Sequence, residues 1–224
     1  MIEIKGISKT FTTKSGENCI LQNLNFSIEK NDNIGILGRN GAGKSTLLRI
    51  IAGIEEPDHG IVERRGRISW PIGFSGGFNG SLTGEENCHF VARIYGEEIE
   101  KVLDFVTVFS ELGDYFYMPF RTYSAGMKAR LAFGLSMALE FDLYLVDEVT
   151  AVGDISFQRK CKEVFAERRK RSSILIVSHN LNTIKEYCNK VVILDKGKIQ
   201  VYNDIDMAFN IYNQGFENGN DKKR

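Results

Sequence analysis

The sequence has no long hydrophobic run. Its purest apolar stretches cover only residues 174–177 and 191–194, whereas a membrane-spanning helix needs about 18 or more apolar residues. The opening stretch MIEIKGISKTF contains no apolar h-region, so we expect no secretion signal. The sequence therefore predicts a protein that does not itself span a membrane.

An excess of charge of one sign is also lacking, because 29 Lys and Arg residues balance 29 Asp and Glu residues. A general nucleic-acid binder needs a basic surface, so we expect no nucleic-acid partner, although a local basic patch is not excluded. The four cysteines form no CxxC pair. We therefore expect reduced thiols of a cytosolic protein rather than a metal site at Cys19, Cys88, Cys161 and Cys188.

The 224 residues suffice for one large domain or for one core with an insertion, at about 150 residues per domain. Short apolar runs alternate with stretches of helical spacing, which favours a mainly parallel sheet covered on both faces. The block 79–139 shows helical patterns only. The sequence thus predicts an α/β core formed by 1–78 and 140–224, with 79–139 inserted as a helical subdomain.

The strongest motif is GRNGAGKST at 38–46, which fits GxxxxGK[ST] and lies between a buried strand and a helix. The glycines let backbone N–H groups surround phosphates, and the helix N-terminus adds positive potential. The Lys side chain should reach the β- and γ-phosphates, and the Ser hydroxyl should bind Mg²⁺. The alternative is a chance glycine-rich turn. The predicted nucleotide ligands are Gly38, Asn40, Gly41, Ala42, Gly43, Lys44, Ser45 and Thr46.

The apolar run LYLVDE at 143–148 ends in two carboxylates. The carboxyl end of a parallel strand is where α/β sheets place their ligands. Asp147 is expected to hold Mg²⁺ through water, and Glu148 to polarise the water that attacks the γ-phosphate. The alternative is a strand that simply runs out into solvent.

The turn YSAGM at 123–127 precedes a helical run. Through Ser124 and Gly126 it resembles the LSGGQ signature motif of the ABC ATPases. A turn of small residues at a helix start offers a hydroxyl and N–H groups to phosphate, although Ser-x-Gly before a helix is commonly just an N-cap. The resemblance implies the P-loop NTPase fold of an ABC ATPase, with a mixed, mainly parallel sheet, and with ATP and Mg²⁺ as cofactors.

Three further positions are similar to those of the same family. The resemblance implies that Phe11 stacks on adenine, that Asp154 is the aspartate of the D-loop, and that His179 senses the γ-phosphate. Each has an alternative: Phe11 belongs to the core, Asp154 caps the next helix, and His179 is a loop residue with ordinary partners.

One departure concerns the stretch PIGFSGGFN at 71–79, where ABC ATPases usually carry a glutamine that contacts Mg²⁺ and the attacking water. This stretch has no Gln; Ser75 or Asn79 is a candidate substitute. A Gln-less glycine-rich loop followed by LTGEEN, together with YSAGMKAR at 123–130, resembles the polysaccharide-export branch of the ABC transporters. Within it, the sequence is most similar to the ATP-binding subunits of the group 2 capsule type.

This resemblance implies an ATPase subunit that drives capsular polysaccharide across the inner membrane from its cytoplasmic face, as a peripheral protein. It implies a homodimer that closes over two ATP molecules and an integral membrane permease, itself a dimer, as partner. The polysaccharide would be contacted indirectly. The alternatives are an O-antigen or teichoic-acid exporter, a non-transport ABC ATPase, and a non-catalytic ATP-binding regulatory module.

Overall fold

The computed structural model describes residues 2–14, 16–72, 77–147, 154–178 and 180–220. These residues form nine strands: β1 (Ile2–Thr13), β2 (Gly16–Ile28), β3 (Asn33–Leu37), β4 (His59–Arg64), β5 (Ile68–Ile72), β6 (Leu143–Asp147), β7 (Ser173–Val177), β8 (Lys190–Asp195) and β9 (Lys198–Tyr202). Their α-helices are α1 (Lys44–Ala52), α2 (Gly84–Tyr95), α3 (Ile99–Ser110), α4 (Ala125–Ala138), α5 (Ile155–Arg169), α6 (Leu181–Tyr187) and α7 (Ile205–Asn220). None of the helices in these ranges is long and apolar enough to cross a membrane.

The chain divides into two compact units. The first comprises Met1–Pro71, Asp142–Val149 and Ser172–Arg224, and the second comprises Ile72–Phe141 and Thr150–Arg171. The second unit therefore includes α5, whereas the sequence predicts that stretch as part of the α/β core. The predicted division at 78/79 and 139/140 stays a prediction.

Two sheets build the first unit. One is antiparallel, in the strand order β2-β1-β4, and the other has six strands in the order β5-β6-β7-β3-β8-β9. In the larger sheet β7 pairs parallel with β6 and β3, and β3 also pairs parallel with β8, whereas β9 pairs antiparallel with β8. The mixed, mainly parallel sheet that the sequence predicts is thus confirmed.

The apolar runs of the sequence become the central strands of this sheet. β3, β6, β7 and β8 are buried along nearly their whole length, as expected for parallel strands covered on both faces. Buried apolar residues of β1, β2 and α1 form one hydrophobic core with alternate residues of these strands. The ends of the central strands are consequently held in fixed positions.

Helices α2 to α5 make up most of the second unit. Thr83 and Glu86 form a capping box at the start of α2, in which each side chain accepts a hydrogen bond from the other residue's backbone N–H. Between α3, α4 and α5, the Phe109 ring lies 5.8 Å from that of Phe133 and 5.3 Å from that of Phe157, between ring centroids. Aromatic packing therefore joins α5 to α3 and α4.

Candidate nucleotide-binding site

Three parts of the chain meet at the carboxyl edge of the parallel sheet. β3 ends at Leu37 and continues through the loop 38–43 into α1, which packs against β6. Asp147 is the last residue of β6 and lies opposite Val177, the last residue of β7. Ser178 follows at once and is buried. The strand order therefore brings the phosphate-binding loop, the acidic strand end and the end of β7 to one place.

The loop needs glycine at two positions in particular. Gly43 has φ of 100°, a left-handed conformation, and a Cβ atom there would lie 2.5 Å from Cγ2 of Ile20. A Cβ atom at Gly38 would lie 2.6 Å from the carbonyl oxygen of Leu194. Only glycine lets the backbone run this close to β2 and β8, so these residues serve the loop's shape as well as its chemistry.

Lys44 directs its ammonium group back over the loop. Its Nζ donates hydrogen bonds to the carbonyl oxygens of Gly38 at 2.7 Å and Arg39 at 3.0 Å. The N–H of Ala42 donates to the same Arg39 carbonyl at 3.0 Å. A cation held at the start of α1 suits an anionic ligand, because the helix N-terminus adds to its positive potential.

A cavity of about 1060 Å³ opens over this loop. It is lined by predicted site residues from β1, the loop, α1 and β6, while Ala42 is not among its lining residues. The residues that agree with the sequence analysis are Phe11, Gly38, Asn40, Gly41, Gly43, Lys44, Ser45, Thr46 and Asp147. The structure thus brings together residues separated by more than a hundred positions in the chain.

Phe11 is 37% exposed, so it does not belong to the core. The Nζ atom of Lys9 lies 5.5 Å from the centre of its ring and 3.2 Å from a carboxylate oxygen of Asp58. Asp58 also accepts a hydrogen bond from the N–H of Thr10 at 2.7 Å. This backbone hydrogen bond, followed by the one from Lys9, lowers the pKa of Asp58. The end of β1 is therefore held in place while the Phe11 ring stays available to a planar ligand.

The metal ligands predicted from the sequence fit the chemistry of the cavity. Ser45 and Asp147 both line it, and the hydroxyl and carboxylate oxygens of these residue types suit Mg²⁺. Glu148 and His179 directly follow Asp147 and Ser178 in the sequence. Both lie outside the described residues, so their catalytic roles stay predictions.

The signature-like turn belongs to the second unit. Ser124 caps α4, with its Oγ accepting a hydrogen bond from the N–H of Met127 at 3.2 Å, and Ser124 and Gly126 are exposed. Tyr123 stands where the ABC motif has leucine. It is buried, and its hydroxyl donates a hydrogen bond to the carbonyl of Tyr115 at 2.6 Å. Burial raises the pKa of Tyr123 to about 12. The departure from the motif therefore anchors the turn and leaves its small polar residues at the surface.

Asp154 also lies in the second unit, where it caps α5. Its Oδ1 accepts a hydrogen bond from the N–H of Phe157 at 2.9 Å, and its Oδ2 lies 3.0 Å from the guanidinium of Arg130 in α4. Arg130 reaches Glu111 at 3.0 Å as well, and Glu111 pairs with Lys160 at 2.9 Å. The hydrogen bond from Phe157, assisted by the charge of Arg130, lowers the pKa of Asp154. The capping role is thus confirmed, and the D-loop role stays a prediction.

Neither candidate for the missing glutamine gains support. The Oδ1 atom of Asn79 accepts a hydrogen bond from the N–H of Ser81 at 2.9 Å, and its backbone N–H donates to the side chain of Asn87. Asn79 therefore serves the turn before α2. Ser75 lies outside the described residues.

Sequence reasoning missed five residues that line the cavity. Val177 and Ser178 are signalled only by their place at the end of β7. Arg39 is a variable position of the motif at 38–46, and Ile20 belongs to no motif. Tyr212 lies far downstream on α7, outside every motif quoted from the sequence. The additional lining residues are Ile20, Arg39, Val177, Ser178 and Tyr212.

The site and its motifs can now be compared with those of known proteins. The family model described as ABC transporter matches residues 21–151, which is more than half of the chain. The chain belongs to the ABC transporter family. The resemblance inferred from the motifs is confirmed.

Two relatives match nearly the whole chain. It is 51% identical over 213 residues to the capsule polysaccharide export ATP-binding protein CtrD of Neisseria meningitidis serogroup B, covering 95% of this chain and 99% of that protein. It is 50% identical over 215 residues to the polysialic acid transport ATP-binding protein KpsT of Escherichia coli, covering 95% and 98%. The predicted similarity to the capsule type is confirmed.

A solved structure gives independent support for the fold. The dimeric ATP-binding cassette MJ0796, in a post-hydrolysis state with ADP and Pi, superposes with a TM-score of 0.75 at 21% identity. The match covers 91% of this chain and 98% of that one. The ABC ATPase fold predicted from the sequence is therefore confirmed.

Proposed function

We propose that this protein is the ATP-hydrolysing subunit of an ABC exporter that drives capsular polysaccharide across the inner membrane. The proposal rests on two sequence matches. The chain is 51% and 50% identical to proteins named for capsule polysaccharide export and polysialic acid transport, and each match covers nearly the full length of this chain and of the relative. The cavity over the phosphate-binding loop supports an active ATPase rather than a regulatory module, because Lys44, Ser45 and Asp147 all line it.

In this proposal the cavity holds ATP. The loop N–H groups and Lys44 hold the phosphates, and Phe11 stacks on adenine. Mg²⁺ would be held by Ser45 and, through water, by Asp147, and it would neutralise charge on the β- and γ-phosphates. Glu148 orients the attacking water, and His179 senses the γ-phosphate. Phosphoryl transfer asks mainly for such positioning and electrostatic stabilisation.

Two kinds of partner complete the proposed transporter. A second copy of the chain supplies Ser124 and Gly126 to the ATP of the first, and a two-fold axis makes both sites equal. An integral membrane permease, itself a dimer, is moved by closing and opening of this pair. The subunit works at the cytoplasmic face of the inner membrane and contacts the polysaccharide only indirectly.

The transport role is tested by deleting the gene in its own bacterium. We expect surface capsule to be lost and polymer to accumulate inside the cell, because export stops while synthesis continues. A plasmid with the wild-type gene should restore capsule, and a Lys44→Ala version should not. Antibody staining of intact and permeabilised cells measures both pools. Loss of O-antigen or teichoic acid with capsule retained would favour the alternative exporters.

Shared ATP sites are tested by mixing two inactive variants. The chain carries one phosphate-binding loop and one signature-like turn, in different units. A dimer of one Lys44→Ala and one Ser124→Arg subunit has both lesions in one site and none in the other. Partial ATPase activity should therefore return, although each variant alone is inactive.

The matched control for this mixture is Ser81→Arg, at another exposed serine of the second unit. This variant should remain active alone, because we place Ser81 outside the ATP site. ATP turnover of the mixture is measured after subunit exchange, with two affinity tags to verify heterodimers. A mixture that forms heterodimers but stays inactive would contradict independent, shared sites.

A further inference from the structure

The chain that leads into the signature-like turn is tied to the chain that leads into α2. The backbone N–H groups of Phe120 and Arg121 donate hydrogen bonds to the carbonyl oxygens of Leu82 and Gly80, at 2.8 and 2.9 Å. The Phe120 ring also stacks on that of Phe78, with 4.8 Å between centroids. All of these residues belong to the second unit. The entry to the turn therefore has a set position beside the entry to α2.

Tyr123 is the last residue before the turn, and it is only 4% exposed. Its hydroxyl donates a hydrogen bond to the carbonyl of Tyr115 at 2.6 Å, in the 3₁₀ helix Gly113–Tyr117. Its ring lies 5.3 Å from that of Phe120, between centroids. A Cβ atom on Gly84, the first residue of α2, would collide with the hydroxyl oxygen. One phenol thus fills the space between the turn, the 3₁₀ helix and the start of α2.

The turn that follows is exposed at Ser124 and Gly126. On one side it continues into α4, where the N–H of Lys128 donates a hydrogen bond to the carbonyl of Ser124 at 3.0 Å. On the other side it is held by Tyr123. Leucine, the residue of the ABC motif at this place, has no side-chain group that could bond to the backbone. Because hydrogen bonds are directional and apolar contacts are not, the tyrosine fixes the entry to the turn more closely than leucine could.

We propose that Tyr123 is a positioning residue for ATP hydrolysis, whose hydroxyl holds Ser124 and Gly126 where they bind the ATP of a second copy. This inference rests on the shared sites of the proposed function and adds to them a buried residue that itself contacts no phosphate. The hydroxyl should therefore act on hydrolysis in the partner's site. It should leave ATP binding by the phosphate-binding loop of its own subunit unchanged.

The first test is Tyr123→Phe, which removes the hydroxyl and keeps the ring. We expect kcat to fall about 5- to 10-fold, as for one lost hydrogen bond in a buried site, and the ATP affinity of the dilute subunit to change by less than about twofold. Phosphate release measures kcat, and a titration with ATP in EDTA measures affinity without turnover. The matched control is Tyr117→Phe, at an exposed tyrosine of the 3₁₀ helix, which should keep the wild-type kcat.

The second test mixes Tyr123→Phe with Lys44→Ala subunits. In their heterodimer one site carries both changes and the other carries neither, so ATP turnover should reach about half of the wild-type rate. If Tyr123 served the phosphate-binding loop of its own subunit instead, each site would carry one change. Turnover would then stay at or below that of Tyr123→Phe alone. A purely structural defect would also give no such recovery together with unchanged ATP affinity.

A second variant approaches the same hydroxyl from α2. Gly84→Ala places a methyl group against the Tyr123 oxygen, so it should also lower kcat and recover with Lys44→Ala. Three results would each overturn the role of Tyr123: a wild-type kcat in Tyr123→Phe, a loss of ATP affinity together with kcat, or no recovery with Lys44→Ala although Ser124→Arg recovers with it. If neither mixture recovers while heterodimers form, the shared sites themselves are wrong and this inference is refuted with them.

Discussion

Replacing Lys44 with alanine is expected to abolish measurable ATP binding. The ammonium group should reach two phosphates, and hydrogen bonds to charged groups contribute about 1.5–3 kcal/mol each. Their loss corresponds to an affinity about 100-fold lower or more, at about 1.4 kcal/mol per factor of ten. Lys44→Glu should act at least as strongly, because a carboxylate repels phosphate. Titration with ATP measures the effect.

The fold should survive this substitution. The Lys44 ammonium contacts the loop carbonyls of Gly38 and Arg39 rather than the hydrophobic core. Circular dichroism and the melting temperature should therefore stay close to those of the wild type. The control is Lys198→Ala, at an exposed lysine of β9 that does not line the cavity. An unchanged ATP affinity in Lys44→Ala would show that the nucleotide binds elsewhere.

Replacing Glu148 with glutamine should separate ATP binding from ATP hydrolysis. Glu148 directly follows Asp147, which ends β6 and lines the cavity. Removing a group that orients or deprotonates the attacking water typically lowers the rate about 100- to 10,000-fold. Lys44 and Ser45 remain to hold the phosphates, so ATP affinity should be retained. Steady-state phosphate release and an ATP titration measure the two quantities.

The same variant should accumulate a closed dimer, because ATP that is not hydrolysed continues to join the two copies. Light scattering after gel filtration with ATP should report twice the monomer mass for Glu148→Gln, and a smaller dimer fraction for the wild type. Glu17→Gln, at an exposed position of β2, is the matched control and should hydrolyse ATP normally. Hydrolysis at the wild-type rate in Glu148→Gln would refute its assignment.

The central strands and the helix after the loop were predicted closely. The helix expected after the phosphate-binding motif is α1, and the apolar runs at 143–146, 174–177 and 191–194 lie within β6, β7 and β8. Such runs are readable because strands buried on both faces need apolar residues at every position. The outer strands are harder to predict from the sequence. β4 (His59–Arg64) and β9 (Lys198–Tyr202) are largely exposed and have no continuous apolar run.

Helix caps and ion-pair networks are also only partly predictable from the sequence. Asp154 is recognisable as a possible helix cap, but its ion pair with Arg130 joins positions 24 apart in the chain. In the basic run at 168–171, Arg168 donates a hydrogen bond to the carbonyl of Met137 at 2.6 Å and pairs with Glu140 at 2.9 Å. These contacts depend on the packing of α4 and α5, which no local pattern encodes.

The chemistry of the phosphate-binding loop could be read from the sequence because its glycines, Lys44 and Ser45 are contiguous, and local backbone geometry suffices for their roles. The cavity could not be read in this way. Phe11, Asp147 and Tyr212 come from β1, β6 and α7, and only the strand order and the packing of α7 bring them together. The tertiary structure alone could place Tyr212 at the site, since its position depends on burying Phe209 against the first unit rather than on any motif.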